Sequence, residues 1–200
     1  MHKQDFVFLG ENLALDFINT QQMREGRKLD TLPDYAALLE WLVAAKVLDA
    51  AQAKAASKRW GKGAEGKRTH TQAQQLRAAL RGLAEHIVAG KSVPHSSLDA
   101  INEVLRHGVG YTQLALTRGK FVRRPHSSRD ESMQLIVPVA EAASDLLCEA
   151  DLSLIKRCGN PSCILYFYDT TKNHARRWCS MAGCGNRMKA AAHYRRLHPA

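Results

Sequence analysis

Four cysteines constrain this chain more than any other feature. They read Cys158-x4-Cys163, then fifteen residues, then Cys179-x4-Cys184. Two close pairs a finger-length apart wrap one tetrahedral metal ion, each pair supplying two corners. The expected metal is a single zinc. Four thiolates complete its coordination sphere and leave no position for water or substrate, so the site stabilises a fold and does not catalyse. His174 is a lesser candidate ligand, because it falls in the expected turn Thr171-Lys172-Asn173 and the two pairs suffice without it. The fifth cysteine, Cys148, is expected in the core as a small hydrophobe.

Metal is preferred to disulfides here because all five cysteines crowd into the last third of a chain that reads as cytoplasmic, where thiols stay reduced. The N-terminal Met-His-Lys-Gln-Asp lacks the pattern of a signal peptide, and no apolar run approaches the roughly 18 residues of a membrane span. No membrane partner is expected. The 200 residues have room for a body, 1–150, and a small C-terminal module, 151–200.

The charge is placed unevenly. Residues 155–200 hold nine Lys or Arg against one acid, Asp169, whereas the preceding 154 residues hold twenty against eighteen. That asymmetry is the footprint of a polyanion-binding module on a near-neutral body, although a solvated basic face gives the same count.

Periodicity predicts a mainly α body with a small β element. Phe6 to Leu9 reads as a short strand, followed by a Gly turn and a helical turn or two up to Thr20. Pro33 suits a first helical turn, and Tyr35, Leu38, Leu39, Leu42 and Ala45 continue a helix to about Leu48. Trp60 to Thr71 has no apolar period and reads as a loop. Leu76, Leu80, Leu83 and Ile87 form a helical stripe that Gly90 closes. Ser96 or Ser97 should cap a shorter helix burying Leu98, Ile101, Val104 and Leu105. Residues 109–124 alternate as a β-hairpin around Thr117-Arg118-Gly119-Lys120, and a polar stretch, Arg123 to Ser132, follows. After Pro138 a last body helix, with Val139, Ala143, Leu146, Leu147, Ala150 and Leu154 on one face, should lead directly to Cys158.

Within the module, Gly159 and Pro161 allow a tight knuckle, Ile164 to Tyr168 reads as a strand, and Arg176-Arg177-Trp178 can return antiparallel to it. Asn186 is a credible N-cap for a C-terminal helix, giving a treble-clef-like order. On that helix Lys189, His193 and Arg196 lie at i, i+4 and i+7, flanked by Arg187 and Arg195. Together with Arg176 and Arg177 they form the candidate nucleic-acid contacts, and DNA is the expected partner.

Several strings carry a family resemblance. Cys184-Gly185-Asn186-Arg187, with Arg176-Arg177-Trp178-Cys179, Tyr168-Asp169-Thr170 and Tyr194-Arg195-Arg196, resembles the CGNR zinc-finger family of bacterial proteins over roughly residues 150–198. In that family the finger follows an ABATE domain, and Leu13-Ala14-Leu15-Asp16-Phe17-Ile18-Asn19-Thr20 is similar to its opening motif. Gly10-Glu11-Asn12 stands where the family pattern has a glycine pair. The resemblance implies a stress-linked transcription regulator.

Asp16, Asn19 and Thr20 sit at i, i+3 and i+4, a polar patch that could line a pocket for a small-molecule effector or equally bond local backbone. No nucleophile triad, phosphate-cradling loop or carboxylate pair in a recognisable frame occurs in residues 1–150, so an enzyme ranks third. A zinc-stabilised protein-interaction or RNA-binding module ranks second, and a zinc-dependent DNA-binding regulator first. Oligomeric state stays open, a homodimer included.

Overall fold

The computed structural model describes residues 6–108, 110–117, 120–127 and 132–198, with backbone alone for the strands between 110 and 127. Seven α-helices and three two-stranded antiparallel sheets are defined among these residues. No described helix is long and apolar enough to cross a membrane.

The centre of the body is its shortest helix. In α1, Leu13–Ile18, Asn12 caps the start by accepting from the amides of Ala14 and Leu15, and Ala14, Leu15, Phe17 and Ile18 are all buried. A helix apolar almost all round must be enclosed, and α1 packs on α4 (Ala64–Val88), α6 (Val137–Glu149) and the finger strand β6 (Tyr166–Tyr168). Phe17 meets Trp41 of α2, Tyr35–Ala44, with ring centroids 5.1 Å apart. Residues 6–9, expected as a strand, belong to no sheet.

Three differences from the periodicity reading have local causes. A hairpin of β1, Gln21–Arg24, and β2, Arg27–Asp30, turns through Glu25 and Gly26, both at positive φ. A glutamate in the left-handed region is not a turn signal that composition reveals. Next, α2 stops at Ala44, four residues before the expected Leu48, because Lys46 turns left-handed and the Val47 amide donates back to the Leu42 carbonyl. Pro33 lies before the cap residue Asp34 rather than in the first turn.

The largest correction is Trp60 to Thr71, which is helix and not loop. An Asp49–Gln52 capping box opens α3, Ala50–Trp60, and after a break at Gly61–Gly63 α4 runs for 25 residues. The buried side of its first turns is Gly66, Thr69 and Ala73, small or polar groups at helical spacing that no apolar count detects. Gly66 is required by close approach, since a Cβ there would stand 2.4 Å from the Trp60 carbonyl oxygen and 3.1 Å from the Tyr35 ring. Further on, Leu76, Leu80 and Leu83 are buried and Ile87 half-buried, and Gly90 ends the helix as expected.

Pro94, not a serine, occupies the cap position of α5, His95–Leu105; Ile101 and Val104 are buried while Leu98 is exposed. The expected hairpin forms as β3, Gly110–Thr117, and β4, Lys120–Ser127, paired from Gly110↔Ser127 to Thr117↔Lys120. Strand therefore occupies Arg123 to Ser127, which read as polar connection. Val109, Arg118 and Gly119 lie outside the described residues. In α6, Val139, Ala143 and Leu146 are buried as expected, but Cys148 is exposed, on the side of the helix turned away from the core.

Candidate metal centre and basic helix

The chain does not pass directly from α6 to the first ligand. A 3₁₀ turn, Leu152–Leu154, and the strand β5, Ile155–Arg157, intervene, and β5 pairs with β6. Arg176-Arg177-Trp178, expected as the returning strand, forms none. The partner of β6 is thus the segment before the knuckle, because Cys158 and Cys163 fold that segment back on itself.

Each knuckle begins Cys-Gly-Asn: Cys158-Gly159-Asn160 and Cys184-Gly185-Asn186. Gly159 and Gly185 share a reason. A Cβ at either would stand 3.1 Å from the Trp178 ring, which packs between the two loops. Asn160 is buried, accepts from the Ser162 amide and donates through Nδ2 to Cys184 Sγ at 3.3 Å. This residue holds the two knuckles together, and the repeated tripeptide was its signal in the sequence. Asn186 is not a cap: a single π-helical turn, Met181–Gly185, runs into α7, Asn186–Leu197, and Ser180 caps that turn by accepting from Gly183.

The four cysteines are all buried, with their sulfur atoms within 4.8 Å of one another and Cys163 Sγ 3.9 Å from Cys179 Sγ. Tetrahedral zinc at about 2.3 Å from each sulfur requires sulfur–sulfur separations of about 3.8 Å, so the residues fit the ion. Donation from Cys163 and Cys179 holds Cys158 far below the thiol range, while donation to Cys158 pushes Cys163 up to about 11 and raises Cys179 as well. A divalent cation lets all four release their protons. Its sulfurs are supported by the Cys179 amide, 3.4 Å from Cys158 Sγ, by Asn160, and by the Arg187 guanidinium, 3.9 Å from Cys184 Sγ. His174 stands apart, its Nδ1 against the Asp169 carbonyl.

A second organiser escaped the sequence reading. Asp169, the lone acid of residues 155–200, is fully buried. Its carboxylate accepts from Lys156 Nζ at 2.6 Å, from the amide and hydroxyl of Thr171, and from the Arg176 amide. Burial alone would raise its pKa, yet the Lys156 and Thr171 hydrogen bonds win and hold it well below the carboxylate range. The signal available was simple: one acid among nine cations is worth a structural question.

The candidate nucleic-acid residues separate into two groups. Arg176 is half-buried and committed inside, donating to the carbonyls of Leu9, Trp178 and Cys179, with its guanidinium 4.2 Å from the Phe167 ring centroid. By contrast Arg177, Arg187, Lys189, His193, Arg195 and Arg196 are exposed, and α7 contains no buried residue at all.

Asp16, Asn19 and Thr20 each have a separate partner. Asp16 accepts from the Gly10 amide at 2.7 Å, and burial raises its pKa to about 6. Thr20 is buried and accepts from Arg77, which forms a two-pronged ion pair with Asp30. Asn19 is fully buried and behaves as a strand partner, donating to the Tyr166 carbonyl at 2.7 Å and accepting from the Tyr166 amide at 2.9 Å. Beside it Arg81 donates to the carbonyls of Ile18 and Ile164. Of these three motif residues it is Asn19 that, with Arg81, forms the seam between body and finger.

Two family matches agree with this geometry. ABATE, described as "Putative stress-induced transcription regulator", matches residues 11–150, and the CGNR zinc finger matches residues 155–197. Both resemblances read from the motifs are borne out. Neither description names an enzymatic activity. A comparison with curated proteins finds no match.

Proposed function

The chain belongs to the ABATE family and carries a CGNR zinc finger, and from that premise we propose that it is a zinc-dependent regulator that binds DNA through α7. One observation carries the reading. Arg187, Lys189, His193, Arg195 and Arg196 all stand in solvent on a helix with no buried residue, and the finger's lone acid is enclosed where it cannot offset them. A helix about 18 Å long, joined to a rigid four-cysteine site at one end, is a shape a major groove accepts. Lys and Arg would neutralise phosphates, and the structural zinc would supply rigidity and no chemistry.

The body's part is to hold and bias that helix. A stress or ligand signal taken up by the body would reach the finger through Asn19, Arg81 and Arg176, which join the two through hydrogen bonds.

Fluorescence anisotropy of the zinc-loaded chain on random duplex, at several salt concentrations, tests the reading. Three or four phosphate contacts among Arg187, Lys189, Arg195 and Arg196 give a slope of log affinity on log salt between about −2.7 and −3.6. Arg196→Ala should flatten it by about one unit. No binding at low salt would make the finger a structural or protein-interaction module instead.

A further inference from the structure

The basic residues of α7 do not occupy its outermost line. Helical spacing divides most of the exposed surface into three stripes, with Arg195 on the Met188 line instead. Lys189, His193 and Arg196 form one, and Arg187 and His198 lie on another. Between them run Ala190, Tyr194 and Leu197 at i, i+4 and i+7, opposite the half-buried Met188 and Ala192 that face the finger. Tyr194 and Leu197 are 64% and 63% exposed, more than any other large hydrophobic residue among those described. The Tyr194 ring leans on the His198 ring, centroids 4.5 Å apart, which limits its motion.

Two large apolar side chains adjacent on an exposed helix face offer a contact surface to a partner. Cations flank the stripe on both sides, so the occupant presents an apolar strip between two anionic edges. A second finger is a poor fit, since the one acid of residues 155–200, Asp169, is buried and leaves no anionic edge there. The major groove of duplex DNA fits, because its floor exposes thymine C5-methyl groups between two phosphate rails.

We propose that Ala190, Tyr194 and Leu197 are the specificity-determining residues of α7, reading thymine methyl groups while Lys189, Arg196 and Arg187 hold the phosphates on either side. This rests on the DNA-binding reading and sharpens it: cations set affinity, the apolar stripe sets sequence.

The test separates the two. The zinc-loaded full chain selects a preferred duplex from a random pool, and each thymine is then replaced singly by deoxyuridine, which deletes only the methyl group. At one or two positions wild-type affinity should fall about fourfold per methyl lost. Tyr194→Ala and, separately, Leu197→Gln should lose that response, with zinc content and the salt slope on random duplex unchanged. If deoxyuridine has no effect on wild type, or if both variants keep the full response, the proposal is overturned while DNA binding stands. If wild type binds no random duplex, both readings fall. Self-association of wild type by light scattering, abolished by Tyr194→Ala without change in sequence preference, would assign the stripe to a second copy and overturn the proposal.

Discussion

Body and finger are stabilised by different physics, although the chain joins them through a shared seam. In the body, Trp41, Phe17, Ile18, Leu38, Leu42, Leu76 and Val139 are enclosed with essentially no exposure, and apolar burial is the dominant stabilising force. The finger's own cluster is Leu165 and Phe167 with four cysteines, too little to fold alone. Its order comes from a metal ion and one buried carboxylate. The two halves of the finger also differ from each other: β5–β6 is sewn to α1 and α4, with Tyr166 part of the body's core, while α7 projects without a buried residue. A tool anchored on one side and free on the other suits the duplex recognition proposed for it.

Removing zinc should break the comparison most sharply. Structural zinc in such modules contributes about 10–16 kcal/mol of apparent binding free energy, and all of it is folding energy for the knuckles. Chelation, or Cys163→Ser, should abolish hydrogen-exchange protection in residues 158–163 and 179–197 while α4 keeps its own. One zinc per chain by metal analysis is expected, and equal loss in body and finger would show that they are a single cooperative unit.

Asp169→Asn should cost about 3–5 kcal/mol, because Lys156 would be left without its buried partner. Its pKa is held below the unfolded value, so the contribution is present above about pH 4 and is lost as pH falls further. Acid titration followed by finger-specific exchange should show that loss in wild type and not in the variant.

Leu80→Ala asks the same of the body. A 4%-exposed leucine facing α1 and α6 should cost about 2–5 kcal/mol by urea denaturation, with zinc retention unaffected. The smallest effect is expected at the seam. Asn19→Ala orphans a buried amide and carbonyl of Tyr166 and should cost about 1–3 kcal/mol. If it lowers the melting temperatures of body and finger together, the seam couples them; if the finger alone loosens, the body does not depend on it.

Much of this was legible in one dimension because some constraints are local. Cys158, Cys163, Cys179 and Cys184 were identifiable from spacing alone, since a tetrahedral ion accepts few loop lengths. The Leu76–Leu80–Leu83 stripe and its Gly90 stop were legible because apolar period and a helix end are neighbour effects. So was the exposure of the α7 cations Lys189 and Arg196, which share one face by helical spacing.

Tertiary structure decided what depends on distant partners. Residues 64–71 are helix because Trp60 and Tyr35 press on Gly66 and because Thr69 meets Ser132 through its hydroxyl. Cys148 is exposed because neighbouring positions on α6 already fill the core. Asp16, Asn19 and Thr20 read as one polar patch by spacing, yet three different partners claim them, and only the docking of β6 against α1 reveals that Asn19 completes a strand. The sequence by itself determined where metal and charge lie, because coordination and helix periodicity act over a few residues. Which polar groups would be used up inside, and which left free to meet another molecule, was decided by contacts between residues up to 167 positions apart.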